Sequence, residues 1–138
     1  MKIGEWDELG RARALLQRQM GELKADEYAT HVAVNPDNGR LRVLVASDVG
    51  LLDYQYSPTG ADPDGQWILR GQAYRWASIR GLRLQTDAQL EQSSDAMQEI
   101  WRLVAEDPKI ELTVTSEAGP RAIEGLLAFA RACLVHAA

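Results

Sequence analysis

The chain has 138 residues, 46% of them hydrophobic and 25% charged, a composition that suits one globular domain and excludes disordered, collagen-like and fibrous classes. Its formal net charge of −5 argues against general nucleic-acid binding, because phosphate contacts draw on an excess of Lys and Arg. A single Cys can form no internal disulfide, and no apolar run approaches the roughly 20 residues of a membrane helix.

The opening Met-Lys-Ile-Gly-Glu-Trp-Asp-Glu has no signal-like apolar stretch, so a cytoplasmic location is expected. From Glu5 to Lys24, Leu9, Leu16, Met20 and Leu23 recur with Ala12 beside them, and that spacing predicts an amphipathic helix. The seven-residue spacing of Leu9, Leu16 and Leu23 would also suit pairing with a second copy.

Period two begins at Tyr28 and ends at the pentad Asn35-Pro36-Asp37-Asn38-Gly39, a hairpin turn by its chemistry. Leu41–Ala46 and Leu51–Tyr56 read as strands around a Ser47-Asp48-Val49-Gly50 turn, and 57–65 as a loop. Gln66–Tyr74 and Trp76–Gln85 are two further strand candidates, with Gly81 as a possible bulge in the second. Ser93-Ser94-Asp95 resembles a helix cap, and the spacing of Ala96, Ile100, Leu103 and Val104 favours a helix over 94–106, with a strand as the competing reading. Asp107-Pro108 ends that element. Lys109–Thr115 alternates as a strand, and Gly119-Pro120 opens a final helix with Ile123, Leu126, Leu127, Ala130 and Leu134 inward. Successive strands on short loops predict an α+β fold with a mainly antiparallel, strongly bent sheet or partly open barrel and helices at both ends.

Two segments carry a resemblance. Leu41-Arg-Val-Leu-Val-Ala-Ser-Asp-Val-Gly-Leu-Leu-Asp-Tyr and Tyr74-Arg-Trp-Ala-Ser-Ile-Arg-Gly-Leu-Arg-Leu resemble stretches of bacterial pleckstrin-homology-like domains. The late strand and C-terminal helix suit the same family, over about 26–136. The resemblance implies a nearly closed antiparallel barrel capped by the last helix, a binding or scaffolding role, and no family-wide catalytic residues. The leading helix and a helical 96–105 depart from it. The order helix, strands, helix, strands, helix is also similar to bacterial secretion chaperones, which implies a dimer holding a client segment.

Catalytic and metal signals are sparse. Cys133 lies beside the apolar face of the last helix with no base near it in sequence, and reads as a packed thiol. His31 sits on a strand and His136 near the chain end, with no close-spaced His or Cys pair to hold a metal. Asp48, Asp53, Asp62 and Asp64 occupy turn positions without calcium-loop spacing. No phosphate-binding glycine string or nucleophile elbow occurs, so neither cofactor nor metal is implied. An enzyme would need a cleft gathering His31 or Cys133 with carboxylates.

One charge asymmetry remains. Between Gln66 and Gln85 stand Arg70, Arg75, Arg80 and Arg83 with no acidic residue, interleaved with Trp67, Tyr74 and Trp76, and an acidic stretch follows from Asp87 to Asp107. On continuous strands, Arg75 and Arg83 share a face that Arg70 and Arg80 do not. Arg75, Arg83, Trp67 and Trp76 are thus the candidate contacts for a protein partner or an anion. Trp6 and Trp101 are expected to pack against the core from helices. The leading expectation is a non-catalytic recognition or scaffolding domain whose partner is another protein or a second copy.

Overall fold

A computed structural model describes residues 1–60, 65–90 and 97–137. The chain divides into two compact units, 1–75 and 76–138. The class is α+β, with every strand pairing antiparallel and a helix in each terminal region.

In the first unit, 3-10 turns at Ile3–Glu5 and Asp7–Leu9 precede α1 (Ala12–Leu23) and strands β1 (Glu27–Val34), β2 (Leu41–Ser47), β3 (Leu51–Pro58) and β4 (Trp67–Tyr74). The helix begins later than its stripe suggests because the leading residues are tied to β1. The Ile3 N–H donates to the Glu27 carboxylate at 2.6 Å, and the Trp6 indole donates to the Thr30 carbonyl at 3.0 Å. Those long-range bonds anchor the leading residues to β1 instead of leaving them free to extend α1. At the other end Lys24 takes the left-handed conformation, and the N–H of Ala25 bonds back to the Met20 carbonyl.

The sheet order is β1-β2-β3-β4. Asn35–Gly39 forms the hairpin turn as expected, with Gly39 at φ 72° and its N–H on the Asn35 carbonyl. One face of the sheet presents Val32, Val43, Val45, Leu52 and Tyr54. Ile3, Leu9, Ala12, Leu16 and Met20 pack on it to make this unit's core. Leu9 and Leu16 are thus covered within the single chain, which removes the seven-residue stripe as a surface for a second copy. Leu23, expected inside, is 43% exposed at the end of α1. The opposite face carries Arg42 and Asp53, joined by two hydrogen bonds of 3.2 and 2.9 Å.

The second unit holds β5 (Arg83–Leu90), β6 (Met97–Ala105), β7 (Ile110–Thr115) and α2 (Pro120–His136), with sheet order β5-β6-β7. Neither sheet closes into a barrel, which corrects the nearly closed barrel implied by the resemblance.

The helix favoured over 94–106 is a strand in the described part, 97–105; Ser93-Ser94-Asp95 and Ala96 lie outside the described residues. Its apolar residues fall on both parities, Ile100 and Val104 on one face and Trp101, Leu103 and Ala105 on the other, so the spacing imitates a helix. The central position between β5 and β7 satisfies its backbone on both sides, and Ile, Trp and Val suit a pleated surface.

The strand expected over Trp76–Gln85 also differs. Trp76–Ser78 is a 3-10 turn, Gly81 sits in a turn at φ 68°, and the strand runs from Arg83 to Leu90. An isolated bridge between Arg80 and Asp107 accounts for the break, because it ties residue 80 to the β6–β7 connection ahead of β5.

Helix α2 opens at Pro120 as expected, but its buried line is Leu126, Phe129, Ala130 and Cys133, while Leu134 is exposed. A bulky aromatic buries more area than Leu, which places Phe129 at the centre and turns Leu134 outward. Trp6 and Trp101 stand on a 3-10 junction and on β6, not on helices.

Candidate functional site

Sheet register builds an aromatic cleft at one end of the first unit. Tyr56 pairs with Leu69 and Pro58 with Trp67, so Tyr56 and Trp67 are diagonal neighbours on the α1 face. Their rings stack with centroids 5.2 Å apart and planes at 29°. Val34 and Leu41 continue the apolar wall, while Glu8, Leu9 and Arg11 close it from the segment entering α1. The cleft is open to solvent and has a volume of about 400 Å³, room for a large side chain or small ligand. Val34 is 45% exposed here, large for a Val on a core-facing parity.

A second hollow at the same sheet end shares Val34, Leu41 and Tyr56 and adds Asn35, Arg40, Arg42 and Gln55. Arg11 and Arg40 are exposed guanidiniums beside apolar walls, an arrangement that accepts an amphipathic group with a carboxylate.

The four residues singled out by sequence divide between the units. Trp67 lines the aromatic cleft, half-buried, and Arg75 is exposed at the end of the first unit. In the second unit Trp76 is half-buried and lies 5.9 Å from the ring of His136. Arg83 opens β5 and reaches Glu106 at 3.7 Å, so part of the basic stretch is answered by the acidic one. The parity argument that paired Arg75 with Arg83 fails, because 76–82 is not a strand.

Sequence reasoning missed Tyr56, Val34 and Arg11. Register alone brings Tyr56 to Trp67, and only the packing of the α1 entry on the sheet brings Arg11 there. The turn reading holds at Asp48, which accepts the Asp26 N–H at 2.6 Å; Asp53 instead sits on β3 against Arg42. Asp62 and Asp64 lie outside the described residues.

The two alternative groups for an enzyme reading, His31 and Cys133, are both buried. Burial pushes the Cys133 thiol up to about 12, which keeps it protonated and weakly nucleophilic at neutral pH. Burial, helped by the charge of the N-terminal ammonium, pushes His31 down to about 4, and its ring meets Trp6 edge-on at 5.6 Å. His31 is thus a neutral imidazole across the physiological range. Among the described residues no three His, Cys, Asp or Glu side chains gather to hold a metal ion, and no helix is long and apolar enough to cross a membrane.

That burial has a measurable consequence. Between about pH 6.5 and pH 4 the unfolded chain binds a proton at His31 that the folded chain refuses, so stability falls as the pH drops through this window. Up to about 3 kcal/mol is at stake. Thermal melts from pH 7.5 to 4 should show a steeper acid loss for the native chain than for His31→Gln. Parallel curves would contradict the burial of a neutral ring.

No family model, curated protein or solved structure matches this chain.

Proposed function

We propose that the chain is a non-catalytic, cytoplasmic recognition domain of bacterial type. Its cleft at the Tyr56–Trp67 stack receives an apolar side chain of a protein partner, with Arg11 meeting a nearby carboxylate. The observation that carries this reading is the half-buried aromatic stack opening on exposed Val34 with a guanidinium at its rim. Tyr, Trp and Arg are the residues most enriched where binding energy concentrates.

The resemblance to pleckstrin-homology-like domains, with its scaffolding role, is supported by the antiparallel strands among the described residues and the C-terminal helix that follows them. The strand at 97–105 removes one of the two departures read from the sequence; the leading helix α1 and the open sheets remain.

The test is photo-crosslinking in cells with a benzophenone residue in place of Val34, followed by affinity measurement on the protein captured. A discrete protein adduct is expected. Trp67→Ala should weaken the purified complex by about 30-fold or more while the fold, followed by circular dichroism, persists. An absent adduct, or one whose affinity ignores Trp67→Ala, overturns the reading.

A further inference from the structure

Strand β5 is an eight-residue edge: it pairs with β6 on one side and, among the described residues, with no strand on the other. Gln85 through Leu90 are all exposed, so both faces and the outer edge meet solvent. An edge of this kind presents a row of backbone donors and acceptors that templates a further strand unless the sequence blocks it. Proline or a bulge would block it, and Arg83–Leu90 contains neither; its charges, Arg83 and Asp87, restrict which strand can pair there.

The other three edges, β1, β4 and β7, differ. On β1, the Thr30 N–H is already taken by the Met1 carbonyl at 2.7 Å, and the Trp6 indole occupies the Thr30 carbonyl, so the leading segment covers that edge. Edge strands β4 and β7 carry one charge each, Arg70 and Glu111, so neither can offer a second copy of itself a pair of opposite charges.

β5 is complementary to itself. Its only charged residues are Arg83 and Asp87, of opposite sign, on the same face, and placed symmetrically about Gln85. We infer that β5 is a docking edge for a second copy of this chain, paired antiparallel about a two-fold axis at Gln85. In that register Arg83 stands opposite Asp87 of the second copy, and the symmetry repeats the pair. Leu84 meets Thr86 of the second copy on the other face, so the two three-stranded sheets join into one of six strands with continuous faces. Arg83 already lies 3.7 Å from Glu106 of its own chain, and a guanidinium has donors enough for both carboxylates. Shifting the axis to Asp87 would set two carboxylates face to face, so charge selects the register as well as the partner.

A single added strand pair is a small interface, and the dimer belongs with the weak, reversible ones. Sedimentation equilibrium over roughly 10 µM to 1 mM should show a monomer–dimer equilibrium that weakens with added salt. Asp87→Arg should weaken it by about tenfold or more, and Arg83→Asp likewise. The double variant with the charges exchanged should restore the native affinity. Oxidised Gln85→Cys should trap a disulfide dimer faster than Gln89→Cys, since only the former faces itself across the axis; Cys133 is buried and does not compete. A monomer throughout that range, a dimer indifferent to Asp87→Arg, or a double variant that stays as weak as the singles overturns the inference. Trp67→Ala, which acts at the aromatic cleft, should leave the dimer intact, so the two proposals fail separately.

Discussion

Gly50→Ala is expected to cost about 4 kcal/mol or more, enough to unfold the first unit of a marginally stable chain. A Cβ at Gly50 would lie 2.2 Å from the Tyr74 carbonyl oxygen and 3.0 Å from its carbon. Both are backbone atoms at the end of β4, held by the pairing of Tyr74 with Leu51, so no side-chain rotation relieves the clash. The conformation adds strain, because φ is 149° where an L side chain rarely settles. The turn itself cannot yield easily. Ser47 donates from both its N–H and its hydroxyl to the Gly50 carbonyl, at 3.0 and 2.8 Å, and the Gly50 N–H returns to the Ser47 oxygen. Amide hydrogen exchange in β2 through β4, alongside urea unfolding, reads the loss directly. Native-like protection in Gly50→Ala would show that the turn does not approach β4 this closely.

Leu16→Ala is the second large effect, expected at about 2–5 kcal/mol. Leu16 is fully buried at the middle of α1, in one cluster with Leu9, Val43, Val45, Leu52 and Tyr54. Truncation leaves a cavity under a twelve-residue helix whose other inward residues, Ala12 and Met20, lie a turn away on either side. Leu23→Ala makes the same chemical change on the same helix at a 43% exposed site, so it should cost a small fraction of that. Denaturant midpoints of the two variants, with unchanged m-values, provide the check. Equal losses would mean that α1 is not seated by Leu16. The pair also separates intrachain packing from helix pairing, because a shared Leu9–Leu16–Leu23 seam would penalise both positions and make the loss depend on protein concentration.

Most of the elements are legible in the residues because their periods are unambiguous. β1 to β3 alternate around turns that Asn35–Gly39 and Ser47–Gly50 specify locally, and α2 begins where Pro120 dictates. The failures share one cause. Residues 97–105 carry apolar side chains on both parities, 76–82 are diverted by the bridge between Arg80 and Asp107, and the start of α1 is displaced by bonds from Ile3 and Trp6 to β1. In each case a partner distant in sequence outweighs the local preference, whose scale is a fraction of a kcal/mol per residue.

The candidate site divides in the same way. Trp67 stands out from composition, as an aromatic in the basic stretch, but its companions Tyr56, Val34 and Arg11 come from three other segments and have no common sequence signal. Sequence by itself determined the α+β class, the helices in both terminal regions, the strands β1 to β3 and β7, and a net charge of −5 that hides a basic run beside an acidic one. Tertiary structure decided how those charges are spent. Arg83 at the start of β5 answers Glu106 just past the end of β6, and Arg42 answers Asp53 across strands. Arg11 borders an aromatic cleft, and β5 keeps an open edge whose two charges complement a second copy. Charge is a property of the chain, whereas a charged surface exists only once register and packing have fixed which side chains are neighbours.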